Sequence, residues 1–268
     1  MRSIAIIAGG VFRDSIRDRI GYGLVFFSIL LMAASFLLAQ LTAGQDVKII
    51  KDLGLASASA IGLFIAIFFG IGLVTKEVER RSIYSVLSKP VTRTQFVVGK
   101  YLGLVLTLLI NLSVMVVAFY GVLWYLDWTT IDGAKAAWEA PALDLRMLKA
   151  FALIGVELML ITATAIFFST FSSPFLSVAM TFAVYIIGHF GEDLKNINSI
   201  VTSVVLPYIT KAVYYVMPNL SALDVKSAVV HGLPVSGTSM MLATLSTFLY
   251  IATFLVGSIV IFSRRDLK

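Results

Sequence analysis

Cysteine is missing from this chain of 268 residues, which removes disulfide frameworks and thiolate metal sites. Histidine is almost missing: His189 and His231 are the only two, and their separation offers no metal-ligand spacing. Charge is scarce as well. Asp, Glu, Lys and Arg make up 13% of the residues, against 59% hydrophobic, and mean hydropathy is +0.95. A soluble domain of this length needs more charge to cover its surface, so the composition points to an integral membrane protein. The small charge present is unbalanced, at a net +6. No basic stripe carries interleaved aromatics, which argues against nucleic acid. In a polytopic membrane protein such an excess sets orientation against an anionic leaflet.

What the chain has in quantity is apolar runs long enough to cross about 30 Å of hydrocarbon, roughly 20 residues each. They lie at about 20–42, 53–74, 100–126, 147–171, 175–190 and 242–262. The fifth is short, and Pro174 marks a tight turn into it. Six spans put both termini on one face. That face, built from 1–19, 75–100, 172–174 and 263–268, carries 13 Lys and Arg; the other carries 8 and more acids. The positive-inside rule then predicts cytoplasmic termini and a cytoplasmic 75–100 loop. No internal repeat is evident, so 1–268 forms one membrane domain.

Three segments lie outside the spans. Residues 1–19 predict an amphipathic helix in the cytoplasmic interface, with Ile4, Ile7, Val11, Phe12 and Ile16 on one side and Arg13, Asp14, Arg17, Asp18 and Arg19 on the other. Residues 191–241 are apolar but interrupted by Pro207 and Lys211. A seventh span there would carry Arg264, Arg265 and Lys268 outside, so the expectation is a re-entrant helical hairpin on the outer face, covered by the other spans. Trp124, Tyr125 and Trp128 suit interfacial anchors at the outer end of the third span.

The third segment, 75–103, is the most polar run. Its Gly99-Lys100 ends like a phosphate-binding loop, yet Thr94 stands where the first glycine belongs and Tyr101 where the Mg²⁺-binding hydroxyl belongs. No nucleotide site, catalytic residue or metal site follows. Glu77 to Ser88 predicts a short helix, with Ile83, Val86 and Leu87 on one face, ended by Pro90. Thr92 and Gln95 satisfy a capping box, with Val91 and Phe96 as its staple, so a new helix runs into the third span. Gly99 and Gly103 form a small-xxx-small face suited to close helix packing. Such an element can transmit the push of a cytoplasmic partner.

The order E-x-E-R-R-S-I-Y-S-V-L-S-K-P-V-T-R-x-Q-F-V-x-G-K, residues 77–100, resembles permease subunits of ATP-binding-cassette (ABC) transporters, specifically the type-2, exporter-like family. An amphipathic N-terminal helix, six spans and a re-entrant outer segment between the last two agree with it. The resemblance implies that the loop (75–98) holds a coupling helix docked on a separate cytoplasmic ATPase, which would carry the ATP and Mg; this chain would hold no cofactor. The implied contacts are Glu77, Glu79, Arg80, Arg81, Tyr84 and Leu87, with Lys89, Pro90 and Arg93 shaping the turn behind them. It also implies a second permease copy about a two-fold axis, in a bacterial or archaeal cytoplasmic membrane. Apolar spans lean towards a lipidic or amphipathic substrate. The competing reading is a non-transporting transducer that uses the ATPase to act on an extracytoplasmic accessory protein. An ion-coupled secondary transporter lacks the expected inverted repeat.

Glu157 is the one acid placed well inside a span, about 15 Å from its outer end at 1.5 Å per residue. An ionised carboxylate there should be paired, protonated or facing water. Asn111 is its candidate partner, either on a substrate path or as a hydrogen bond joining two spans, and Thr162 and Thr164 are close in sequence. His189 sits at the outer boundary of the fifth span, and Asn219-Leu220-Ser221 fits a glycosylation sequon.

Overall fold

The computed structural model describes residues 2–40, 46–79, 92–135, 138, 140–191 and 216–264; at residues 2, 73–79, 132 and 134 it describes the backbone alone. The regular elements among the described residues are helices, with no strand. In chain order the helices are α1 (Arg2–Ile16), α2 (Arg19–Ala39), α3 (Asp46–Glu79), α4 (Arg93–Thr129), the short α5 (Asp132–Lys135), α6 (Met147–Ser169), α7 (Pro174–His189), the one-turn α8 (Lys226–Val230) and α9 (Gly237–Arg264). A 3-10 turn covers Ser221–Leu223.

Five of these, α2, α3, α4, α6 and α9, are long and apolar enough to cross a membrane, and α7 is a shorter apolar helix. Each coincides with a run expected from hydropathy. The bundle is layered by burial. The apolar stretches of α3 and α6 are 72% and 78% buried, so these two helices form the centre. Those of α2 and α9 are only 28% and 22% buried, leaving Phe26, Leu37, Met241 and Leu249 more than half exposed. A helix apolar on every side but covered on one is stable where its other face meets lipid or protein.

Local chemistry explains the element boundaries. Asp18 separates α1 from α2, its carboxylate accepting the Ile20 amide at 2.9 Å as an N-cap. Thr92 caps α4 through the expected box: the Gln95 amide donates to Thr92 Oγ1, and the Thr92 amide donates to Gln95 Oε1, both at 3.3 Å. Pro174 opens α7 at the position where a missing N–H costs nothing, and the Ser172 and Ser177 hydroxyls share a 2.7 Å bond across the turn.

The end of the bundle carrying α1, Thr92 and Arg264 is termed basal here, and the opposite end distal. At the basal end α1 lies along α4. A Cβ at Gly99 would stand 2.9 Å from the Ile7 side chain, and one at Gly103 would stand 2.6 Å from the Ala8 carbonyl oxygen and 2.8 Å from Val11. The small-xxx-small face therefore receives the apolar ridge of α1.

At the distal end α3 begins at Asp46, two turns before the hydropathy signal, because Lys48, Lys51 and Asp52 lie on the helix itself. Lys51 is completely buried, and its Nζ donates to the Pro141 carbonyl at 2.8 Å. The same loop is held from α4, where the Tyr120 hydroxyl donates to the Asp144 carbonyl at 2.9 Å. Trp124 and Trp128 remain exposed and stack at 6.4 Å.

Candidate functional site

Two places have residues arranged for more than packing. The first is the junction between α3 and α4. α3 stays helical through Glu77 to Glu79, so these positions continue the span's own helix where the sequence suggests a separate one begins. Arg80, Arg81, Tyr84, Leu87, Lys89 and Pro90 lie outside the described residues, as does Val91. Beyond them the chain is anchored firmly. Arg93 Nη1 donates to the carbonyls of Phe262 at 2.8 Å and Ser263 at 2.6 Å, capping the last turn of α9 with a cation where the helix dipole favours one. The Phe96 and Phe262 rings stack at 5.7 Å, and Lys100, buried rather than at an exposed boundary, places its ammonium 4.4 Å from the Phe96 ring. So the residue expected to shape a turn is a clasp between the start of α4 and the end of α9. Arg93→Ala removes both bonds and is expected to weaken the last turn of α9 by about 1 kcal/mol. Amide hydrogen exchange at residues 260–264 measures this: faster exchange is the expected outcome, and unchanged exchange would mean the clasp contributes nothing.

The second place surrounds Glu157, which is 1% exposed. No hydrogen bond joins it to Asn111, and Thr162 and Thr164 bond back to the carbonyls of Leu158 and Leu160 in their own helix. Its neighbour is His189, whose Nε2 stands 3.4 Å from Glu157 Oε1. The reason is hairpin geometry: α6 and α7 run antiparallel about the Ser172–Pro174 turn, and Ser173 lies midway in sequence between the two residues. Equal rise from the turn brings them level. Because α7 has only 16 residues, its end reaches the depth of Glu157 and stops there. His189 is thus an interior residue of the bundle and not a boundary residue. A symmetric count about the turn identifies it from sequence.

The chain that returns after α7 fills the space above that end. The Leu220 amide donates to the Gly188 carbonyl at 3.0 Å, and Leu220, Leu223, Val229 and Val230 are buried. A Cβ at Gly188 would meet the Leu220 side chain at 2.8 Å, so only glycine admits this contact. From the same segment, Lys226 Nζ donates to Ser59 Oγ of α3 at 3.2 Å and pairs with Asp224 at 3.6 Å. Among the described residues, Lys226 and Asp224 are charged groups close enough to bear on the Glu157 carboxylate. Four elements meet here: α3, α6, α7 and the 216–230 segment. Neither Lys226 nor Asp224 carries a sequence signal, since both resemble ordinary loop charges.

Five helices long and apolar enough to cross a membrane, with a sixth shorter one, mark a membrane-embedded protein. A family profile described as "ABC-2 family transporter protein" matches residues 5–267. The chain belongs to that family. An ABC-2 protein is a membrane component of a transporter and not its catalytic part, and the family implies association with an ABC ATPase subunit. This ABC-2 chain is accordingly a multi-pass membrane protein, with the α3–α4 junction and the Glu157 cluster as its two candidate sites. No curated protein matches it.

Proposed function

We propose that this chain is the permease subunit of an ATP-driven exporter, crossing a bacterial or archaeal cytoplasmic membrane six times with both termini inside. α2, α3, α4, α6, α7 and α9 are the spans in this reading, and two copies pair with separate ATPase subunits that bind ATP and Mg. The single observation that carries it is the family match over 5–267, which extends across the ordered motif of residues 77–100. The charge asymmetry supports the sidedness. The anchoring of α4 to α1 and α9 supports a mechanical role for the junction, because a push on residues 77–92 is delivered to three helices together. The apolar exposed faces of α2 and α9 favour a lipidic or amphipathic cargo.

Reversing Glu79, Arg80 and Arg81 together is expected to abolish co-purification of the ATPase while membrane insertion stays intact. Detergent-solubilised complexes, assayed for ATPase bound per permease, decide the matter. A complex that survives the reversal unaltered removes the docking assignment.

A further inference from the structure

The geometry of the Glu157–His189 contact constrains where its hydrogens reside. His189 Nδ1 lies 3.2 Å from the carbonyl oxygen of Tyr185. A carbonyl oxygen only accepts, so Nδ1 carries a hydrogen. In a neutral ring the lone pair is then on Nε2, and Nε2 is the atom 3.4 Å from Glu157 Oε1. Both atoms are buried, and among the described residues neither has a hydrogen-bond partner. With the ring neutral and the carboxylate ionised, two lone pairs oppose one another and a buried carboxylate oxygen is left without a hydrogen bond. One proton removes both penalties wherever it resides. It makes either a carboxyl O–H directed at Nε2 or an imidazolium N–H directed at the carboxylate, and the pair is neutral overall in each case.

We propose that Glu157 and His189 together bind a single proton, and that this proton fastens the distal end of α7, on which Leu220 rests, to α6. The surroundings fit a site that changes occupancy. α7 contributes Tyr185, whose hydroxyl lies beside Ser59 of α3, and the returning segment contributes Lys226 and Asp224. When the proton leaves, the Glu157 carboxylate is left with Lys226 as its compensating cation, and Lys226 is held by Ser59 and Asp224. Repulsion at the Oε1–Nε2 contact then separates α7 from α6, and Leu220, bonded to Gly188, moves with α7. The inference is independent of any ATPase partner.

The absence of cysteine makes the test direct. Spin labels on cysteines introduced at Ala222 and Leu145, both exposed, report the distance between the segment and the start of α6 in the full-length protein in lipid nanodiscs. The wild-type distribution is expected to be narrow at acid pH and to broaden as pH rises. Glu157→Gln, whose amide N–H donates to Nε2 at any pH, stays narrow throughout, whereas Glu157→Ala is broad throughout. Nitrogen-15 NMR of histidine in a His231→Gln background reads the same site: the His189 Nε2 resonance shifts on Glu157→Ala if the proton is shared. A wild-type distribution indifferent to pH, a Glu157→Gln protein that broadens in step with wild type, or a His189 resonance unmoved by Glu157→Ala would each overturn the proposal.

Discussion

Gly103→Leu detaches α1 from α4. At this position the nearest atom to an added Cβ is the backbone carbonyl oxygen of Ala8, 2.6 Å away, with Val11 at 2.8 Å behind it. A carbonyl within a helix cannot rotate aside, so α1 itself must move. Overpacking of this kind costs about 1–3 kcal/mol, which raises the detached population roughly 5- to 150-fold. Among the described residues α1 packs chiefly on α4. Trypsin measures the outcome, because Arg13 lies on the exposed side of α1 and cleavage there follows the open population. Gly99→Leu should act in the same direction but more weakly, since the nearest atoms there belong to the Ile7 side chain at 2.9 Å. Gly121→Leu, on the same helix with nothing within 4 Å, is the control and should leave cleavage unchanged. Equal cleavage in the Gly103 and Gly121 variants would show that the close approach is not what seats α1.

The second large effect is expected at Lys51, among the largest fully buried side chains of the protein. Its ammonium donates to the Pro141 carbonyl, and the Asp144 carboxylate acts on it from the same loop. Lys51→Ala removes the cation from this arrangement and leaves a cavity where the four-carbon stem packed. About 2–5 kcal/mol is the scale for truncating a fully buried long side chain to alanine. Lys51→Met keeps most of the stem and loses only the charged hydrogen bond, about 1.5–3 kcal/mol. Denaturant unfolding in detergent separates the two contributions. A Met variant as stable as wild type would mean that the ammonium does not hold the loop and that the stem alone matters.

Lys51 also shows why some of this protein was legible in sequence and some was not. Hydropathy located each long helix among the described residues, because lipid-facing and core-facing residues are apolar alike and the signal accumulates over 20 residues. It misplaced the start of α3, since a window that scores Lys48, Lys51 and Asp52 as polar cannot know that a loop ninety residues later will cover one of them. Capping at Thr92 and the turn at Pro174 were legible because both are decided within four residues of chain. Gly99 and Gly103 announced a close contact without naming α1 as the helix that makes it. The pairing of Glu157 was misassigned to Asn111 for the opposite reason: spacing along separate spans gives depth only approximately, while the α6–α7 turn fixes it for His189. Arg93 kept its place at the junction, but its partners on α9 come from the far end of the chain, beyond the reach of any local pattern.

The length of α4 has a mechanical consequence. Its 37 residues form one unbroken helix from Arg93 to Thr129, roughly 55 Å at 1.5 Å per residue, well beyond the thickness of a hydrocarbon layer. A rigid rod of that length is a lever. A tilt of about 10° at its basal end sweeps its distal tip through roughly 10 Å, on the 1.5 Å rise that sets its length. α1 and the end of α9 grip its first three turns, and its distal end bonds the loop that Tyr120 and Lys51 hold in place. Any tilt about the basal grip would therefore move the distal tip several-fold further than the residues beside Thr92.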